Sequence, residues 1–508
     1  MTLSLVSGGR DNDLFTIEEN VLRAKDVDSL VAGREYIIKV AIINNQGSTS
    51  KVLSFRMPSI EEPGTDAPLT ISDEPELVQS EEIIVQGSSL AEKLDWLRVF
   101  VNSNGNYAIE VGANESVPSH NFMYSGKNNI IITIRGDALN RTVNSNFTVG
   151  SGVTLVLGNN IAFRGPAAGN GLISVASGGR LIMNNGSLVA GNAADYQGDG
   201  VSINGGAFTM NGGEISGNRG NGVGMNGGTF TMNGGTISGN SSRGVNLSFN
   251  TGTITMNGGN ISDNKGGGVS VGRGTFIMRG GTIAGNSTAS FSRDYPVYGG
   301  GVSVINSGTA FTMNGGTISN NTASGGFGGG VYVYNGGIFN MNGGEISGNT
   351  AAINNDDRGR GSFGGSGGGL YIVGGGTFRM SNGDISKNNA HAEGGGIYAD
   401  SIFAMSGGTV SGNTAREYGG GVYVRYGGIF NKTGGTIFGY ASDANNGNAV
   451  KESSGTVRNF RGHAVYAGSS DNVLKIKETT SGPENNMSFG AQPGQSNYSP
   501  AFSGAWDN

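Results

Sequence analysis

The 508-residue chain contains no cysteine, which excludes both a disulfide scaffold and a thiolate metal site. Proline is scarce at 10 residues, and glycine does not recur at every third position, so this is not a collagen. Charged residues make up only 14% of the chain, against the usual ~25%. The 38 acids outnumber the 32 bases, for a net charge of −6, which gives no electrostatic reason to bind nucleic acid. No run of about 18 apolar residues is present, so no membrane-spanning helix is expected. Met1 to Asn20 lacks a basic start followed by an apolar run and does not read as a secretory signal. If the protein is exported, its signal is expected upstream of Met1.

What the chain has in excess is glycine, 96 residues, far above the usual ~7%. Glycine richness with low charge fits either a disordered tract or a stack of repeated coils, and periodicity separates the two. The phrase Met-Asn-Gly-Gly-Thr-Ile-Ser and its variants begin at Met183, Met210, Met232, Met256, Met278, Met313, Met341, Met380 and Met405, then decay at Lys432. Spacings run from 22 to 39 residues. A floor of one length with scattered insertions marks a solenoid.

Within each repeat, apolar and polar residues alternate in three short runs separated by Gly-Gly or Asn-Gly pairs. In the repeat from Gly330 to Asn349 the runs centre on Val331–Val333, Phe339–Met341 and Ile346. Period-two alternation is the pattern of half-buried strands, and the Gly and Asn pairs supply turns. Three strands and three turns in about 22 residues predict an all-β, right-handed parallel β-helix of about 11–12 coils. Four inward columns follow: Val201 to Val422, Phe208 to Phe430, the methionines, and Ile215 to Ile437. A polar column, Asn218, Asn240, Asn264, Asn286, Asn321, Asn349, Asn388 and Asn413, stands eight residues after each methionine-column residue, and stacked amides are expected to bond from coil to coil.

The chain divides by composition. Residues 58–80 hold clustered prolines and acids and read as a linker. Residues 81–145 are expected to cap the stack, with a helix over 89–102 that starts in a Ser89/Glu92 capping box, buries Leu90, Leu94, Leu97 and Val101, and stops at Gly105. The β-helix is assigned to 146–470. Residues 471–508 are expected to be a poorly ordered tail, with Trp506 docked. Before the linker, Tyr36, Ile38, Val40 and Ile42 alternate and a turn follows at Asn45-Gln46-Gly47. Residues 1–57 thus resemble the closing strands of a fibronectin type III module, with Tyr36 at the tyrosine-corner position.

Two features single out candidate binding residues. Insertions at 287–299, 322–328, 350–367, 389–394 and 414–419 all follow the Asn column and precede the glycine run. They are expected to leave one corner as a ridge bearing Phe291, Arg293, Tyr295, Tyr298, Phe327, Arg358, Arg360, Phe363 and Tyr418. A file of tyrosines, Tyr332, Tyr371, Tyr398, Tyr423 and Tyr466, takes the outward position of the first strand in five successive coils. It reads as a stacking ladder or as a flat aromatic strip for sugar rings or a partner.

Catalytic and metal signatures are weak. Gly364-Gly365-Ser366-Gly367-Gly368 and Gly222-Val223-Gly224-Met225-Asn226-Gly227 match short motifs without the strand–helix context these need. Only three histidines occur, at 120, 391 and 463, and stacked coils give no reason for them to converge, so no metal and no cofactor is expected. For a carbohydrate-active enzyme, the candidate acids are Asp263, Asp294, Asp356, Asp357, Asp384 and Glu393. Glu214 and Glu345 share the repeat position of Asp384 but are expected to be separated from it by neutral coils.

The phrases Gly-Gly-Gly-Val-Tyr-Val and Gly-Gly-Thr-Ile-Ser-Gly-Asn resemble those of bacterial surface or secreted parallel β-helix proteins, including adhesin-like and polymorphic outer-membrane-protein passengers. The first phrase is similar to that family's Gly-Gly-Ala-Ile motif. The second has Ile-Ser-Gly-Asn where the family has Phe-x-x-Asn. The resemblance implies a non-enzymatic extracellular or cell-surface role in adhesion, with host or matrix glycans or proteins as partners. A carbohydrate-active enzyme and an architectural spacer are the alternative readings.

Overall fold

A computed structural model describes residues 82–489 except 138, 166–170, 193–197, 249, 290–296, 356–361, 441–445 and 469–473, together with 503, 504, 507 and the strands before residue 57. The chain separates into Met1–Glu81 and Glu82–Asn508. In the first unit, Glu35–Asn44 lies between Thr2–Leu5 and Gly47–Arg56 in an antiparallel sheet, and Phe15–Glu18 pairs with Val21–Ala24. Residues 57–81 lie outside the described residues.

The second unit is a parallel β-helix of about 13 turns, slightly more than the period alone suggested. Three long sheets, of 14, 16 and 13 strands, run its length. They carry, in order along each coil, the valine, the phenylalanine–methionine and the isoleucine columns. Register is strict. Val331 stands between Val302 and Leu370, Phe339 between Phe311 and Phe378, and Ile346 between Ile318 and Ile385. Every one of these side chains is fully buried, contributing roughly 1.5–3 kcal/mol each. The phenylalanines stack face to face, as in Phe276–Phe311 and Phe311–Phe339 at 4.6 Å.

The Asn column forms a continuous buried ladder. Asn321 donates both its backbone N–H and its side-chain Nδ2–H to Oδ1 of Asn349 at 3.0 Å, and Asn349 does the same to Asn388 at 2.9 Å. Each Nδ2 also reaches a backbone carbonyl of an isoleucine strand, so the amide is satisfied where no water enters. The ladder runs one step past Asn413 to Asn448, which the changed spacing after Lys432 hides. A second, exposed amide ladder follows the methionines at the next corner, through Asn184, Asn211, Asn233 and Asn257.

The glycines after that corner have a packing reason. Gly344 holds φ at +89°, and a Cβ there would sit 2.6 Å from Cε of Met313 in the coil before. Only glycine suits both demands.

At the N-terminal end the helix spans Leu90–Phe100, with Ser89 as N-cap accepting from the Glu92 N–H at 3.2 Å. The Glu92 carboxylate bonds Ser88 rather than Ser89, so the reciprocal half of the capping box shifts by one residue. Leu90, Leu94, Leu97 and Val101 are buried as expected. The helix ends at an extended Val101. Gly105 instead makes room for the Tyr107 ring, which a Cβ would meet at 2.4 Å. Trp96 packs against Phe100 and Tyr107. The strands after the helix are not a separate cap. Asn106–Val111 and Ile130–Gly136 already pair in parallel and continue into Val153–Leu157, so the stack begins well before residue 146.

The C-terminal segment closes the stack instead of trailing from it. Leu474–Lys477 turns back antiparallel on Val465–Gly468, and Met487–Phe489 lies antiparallel on Phe430–Lys432. Met487 and Phe489 are buried. Lys432, at the end of the methionine column, is fully buried and donates from Nζ to the carbonyls of Gly482 at 2.7 Å and Asn485 at 2.9 Å. The reversed strand covers the last parallel edge, and Ser503–Gly504 adds one further antiparallel pair on Met487–Phe489. Trp506 lies outside the described residues.

Candidate functional site

After each buried Asn, the insertions do not leave at once as loops. Their first residues form a fourth parallel ladder through Ser287–Ala289, Thr322–Ser324, Thr350–Asn355, Asn389–Ala390, Thr414–Ala415 and Ala449–Val450. Small inward side chains at Ala323, Ala351, Ala390 and Ala415 are buried beneath it. The ridge therefore stands on a sheet of its own.

The chain returns from each insertion through a position just before the glycines. Backbone bonds stack these positions coil on coil. Gly299 N–H donates to Phe327 O, Gly328 to Ser366, Gly367 to Glu393, Gly394 to Tyr418 and Gly419 to Arg461, at 3.0–3.2 Å. The file Tyr298, Phe327, Ser366, Glu393, Tyr418, Arg461 was not read from the sequence as a column. Its one constant signal is the glycine that follows each member.

This file lies against the tyrosine file. Tyr332, Tyr371, Tyr398, Tyr423 and Tyr466 are in register and stack with centroids 4.4–5.8 Å apart. Tyr298 stacks on Tyr332 at 4.3 Å, Phe327 packs on Tyr371 at 4.7 Å, and Tyr418 packs on Tyr466 at 4.5 Å. Tyr332 is 3% exposed and Tyr398 6%, while Tyr371, Tyr423 and Tyr466 are half-buried, so the file is covered at two rungs and partly open at three. The tyrosines are the inner layer of a doubled aromatic wall. Burial raises the phenol pKa of Tyr332, Tyr371 and Tyr398 far above the ordinary value and pushes Tyr423 up to about 12.

The outer layer is interrupted in the middle, where Ser366 and Glu393 replace aromatics. Ser366 Oγ donates to Glu393 Oε2 at 2.7 Å. Beside them lies Glu417, whose carboxyl pKa is raised by burial and then by the charge of Glu393, with Arg458 and Arg461 acting the other way. The Arg461 guanidinium lies over the Tyr418 ring, 4.6 Å from its centroid. Burial also lowers the His391 pKa, with Arg416 adding to the effect. The corner thus brings together two carboxylates, three arginines and an aromatic edge, a set suited to polar ligands with hydroxyl or charged groups.

Of the other predicted residues, Phe363 is buried at 8% exposure, in a strand folded back on Thr350–Asn355, and does not display its ring. Phe291, Arg293, Tyr295, Arg358 and Arg360 lie outside the described residues, as do Asp294, Asp356 and Asp357. Glu345 and Asp384 are direct neighbours in register, contrary to the expected separation by neutral coils. Glu214 pairs with Thr236 further down the same sheet. Among the described residues, no three His, Asp or Glu side chains group as metal ligands, and no helix is long and apolar enough to cross a membrane.

No family model, curated protein or solved structure matches the chain.

Proposed function

We propose that the protein is a non-enzymatic bacterial cell-surface or secreted β-helix that displays one corner to host or matrix ligands. The observation that carries this reading is the fourth ladder with its doubled aromatic wall. Together they hold the insertion-bearing corner rigid over six successive coils. Variable segments on a rigid base are where binding resides, and rigidity lowers the ordering cost of association. The partial fibronectin type III resemblance of residues 1–57 agrees with an extracellular setting.

The test is binding of the full chain to immobilised matrix proteins and glycans, beside an Arg461→Ala/Glu417→Ala variant. Arg461 lies on the outer layer and Glu417 beside it. The expected result is at least a tenfold loss of binding with an unchanged melting temperature. Undiminished binding by the variant would move the site off this corner, and absence of any ligand would leave an architectural spacer.

One observation favours a second reading. Glu393 and Glu417 sit in adjacent coils, and burial, then the charge of Glu393, raises the Glu417 carboxyl pKa. A carboxyl raised beside a second carboxylate suits the general acid of glycoside hydrolysis. New reducing ends released from a polysaccharide, and abolished by Glu393→Gln or Glu417→Gln, would establish that reading instead.

A further inference from the structure

From Ala207 onward, the outward surface of the phenylalanine–methionine sheet is almost devoid of charge. From Ala207 to Asn431 its two outward files hold Thr, Ala, Ile and Asn, with one exception, Arg379. Arg379 is exposed, and among the described residues it has no hydrogen-bond or ion-pair partner. The other cation at this edge, Arg279, differs, since it donates to Oδ1 of Asn257 at 3.2 Å.

Arg379 borders a groove of about 420 Å³. The register explains the hollow. Asn340, Arg379, Ala404 and Asn431 are successive members of one outward file. Ala404 places a single carbon between two long side chains. Along the corner beside it, the exposed amide ladder gives way to Ser381, Ser406 and Thr433, which are shorter. The groove is therefore walled by amides and hydroxyls with one free guanidinium, and no carboxylate lines it.

We propose that this groove binds a linear glycan bearing carboxylates, with Arg379 as its anchor. Amide and hydroxyl groups recur from coil to coil at the strand spacing of about 4.8 Å, so an extended polymer meets a fresh row of hydrogen-bonding groups at each step. Sugar hydroxyls pair with such groups, and the planar guanidinium fork pairs with a carboxylate in two parallel bonds. A nucleic acid needs many cations, which this face lacks. A peptide needs apolar pockets for its side chains, and Ala404 offers only a shallow floor. The groove lies on a different sheet from the insertion-bearing corner, so it stands or falls independently of that corner's ligand.

The experiment is affinity electrophoresis of the full chain through gels containing polygalacturonate, with fully methyl-esterified polygalacturonate as the uncharged comparison. Three variants accompany it: Arg379→Ala, Arg379→Lys, and Ala404→Met, which fills the hollow and leaves every charge in place. The expected result is retardation by polygalacturonate alone, weakened at least tenfold by Arg379→Ala, partly by Arg379→Lys and again by Ala404→Met. Circular dichroism melts establish that each variant is folded. Equal affinity in Arg379→Ala, equal retardation by the ester, or no retardation of the parent chain would overturn the proposal.

Discussion

A Cβ atom on Gly330 would stand 3.0 Å from Nδ2 of Asn349, a rung of the buried amide ladder. The last glycine before each valine strand and the Asn that ends the same coil thus share one space. The pairing recurs along the stack, as at Gly222 with Asn240 and at Gly396 with Asn413. It ties two phrases of the repeat that lie almost a full coil apart in sequence.

Asn349→Ala removes the acceptor for two buried donors of Asn321. At about 1–3 kcal/mol for each donor left unpaired, the expected cost is about 2–6 kcal/mol. Gly330→Ala is expected to cost about 1–3 kcal/mol through overpacking. The double variant is expected to cost less than the sum by about 1 kcal/mol, because the methyl then loses its close contact with the Asn349 amide while keeping that with the Gly369 carbonyl. Denaturant melts, with amide hydrogen exchange of the flanking coils, measure the cycle. Strict additivity would mean that the two residues do not compete for space.

Lys432→Met restores the apolar column but removes the two bonds to Gly482 and Asn485 that hold the closing strands. The expected outcome is a stack that still melts cooperatively while the segment after residue 470 loses protection. Tryptic cleavage at Lys475 and Lys477 is expected to accelerate at least tenfold. An unchanged cleavage rate would show that Met487 and Phe489 alone anchor the cap.

His120 is buried between Phe122 and Phe147, with Arg98 near Nδ1 at 3.4 Å and Asp95 on the same helix. Burial first, and then the Arg98 charge, lower its pKa to about 4. Between that value and the ordinary 6.5 the unfolded chain binds the proton and the folded chain does not. Stability is therefore greatest above about pH 6.5, falls as pH drops to about 4, and levels off below that. The loss is about 3 kcal/mol at roughly 1.4 kcal/mol per pH unit. His120→Gln is expected to remove this part of the acid sensitivity, read as the difference between the two pH–stability curves.

The wall tyrosines predict the opposite limb. Their phenols keep the proton in the folded state beyond the ordinary pKa of 10, to about 12 for Tyr423 and higher for Tyr332, Tyr371 and Tyr398. The unfolded chain ionises first, so their contribution is complete below pH 10 and is lost as pH rises through the folded values. Ultraviolet absorbance of phenolate is expected to show these tyrosines titrating late and together with loss of β structure. Titration of all tyrosines near pH 10 in a folded chain would contradict the burial.

Much of this molecule is visible in its primary structure. An inward side chain must be apolar in every coil and must fall at the same phase, so Phe339, Met341 and Ile346 announce their columns without reference to any other part of the fold. The Asn column is equally legible, because a buried amide is tolerated only where the coils above and below satisfy it. Lys432 was visible as a break in a column, but its meaning was not. Whether a lysine ends a stack or anchors a cap depends on carbonyls about fifty residues away.

The sequence by itself determined the coil, its three strands, and the columns that bind one coil to the next, since each rests on local alternation repeated in phase. The tertiary structure alone decided the rest. The fourth ladder, the file from Tyr298 to Arg461 and the hollow at Ala404 arise where residues from different coils meet across insertions of unequal length. Unequal lengths erase the period along the chain, while hydrogen bonds between stacked backbones restore it in space. The wall tyrosines show the same division. Their alternation placed them on the outward side of the strand, and only the returning insertions decided how far each is covered.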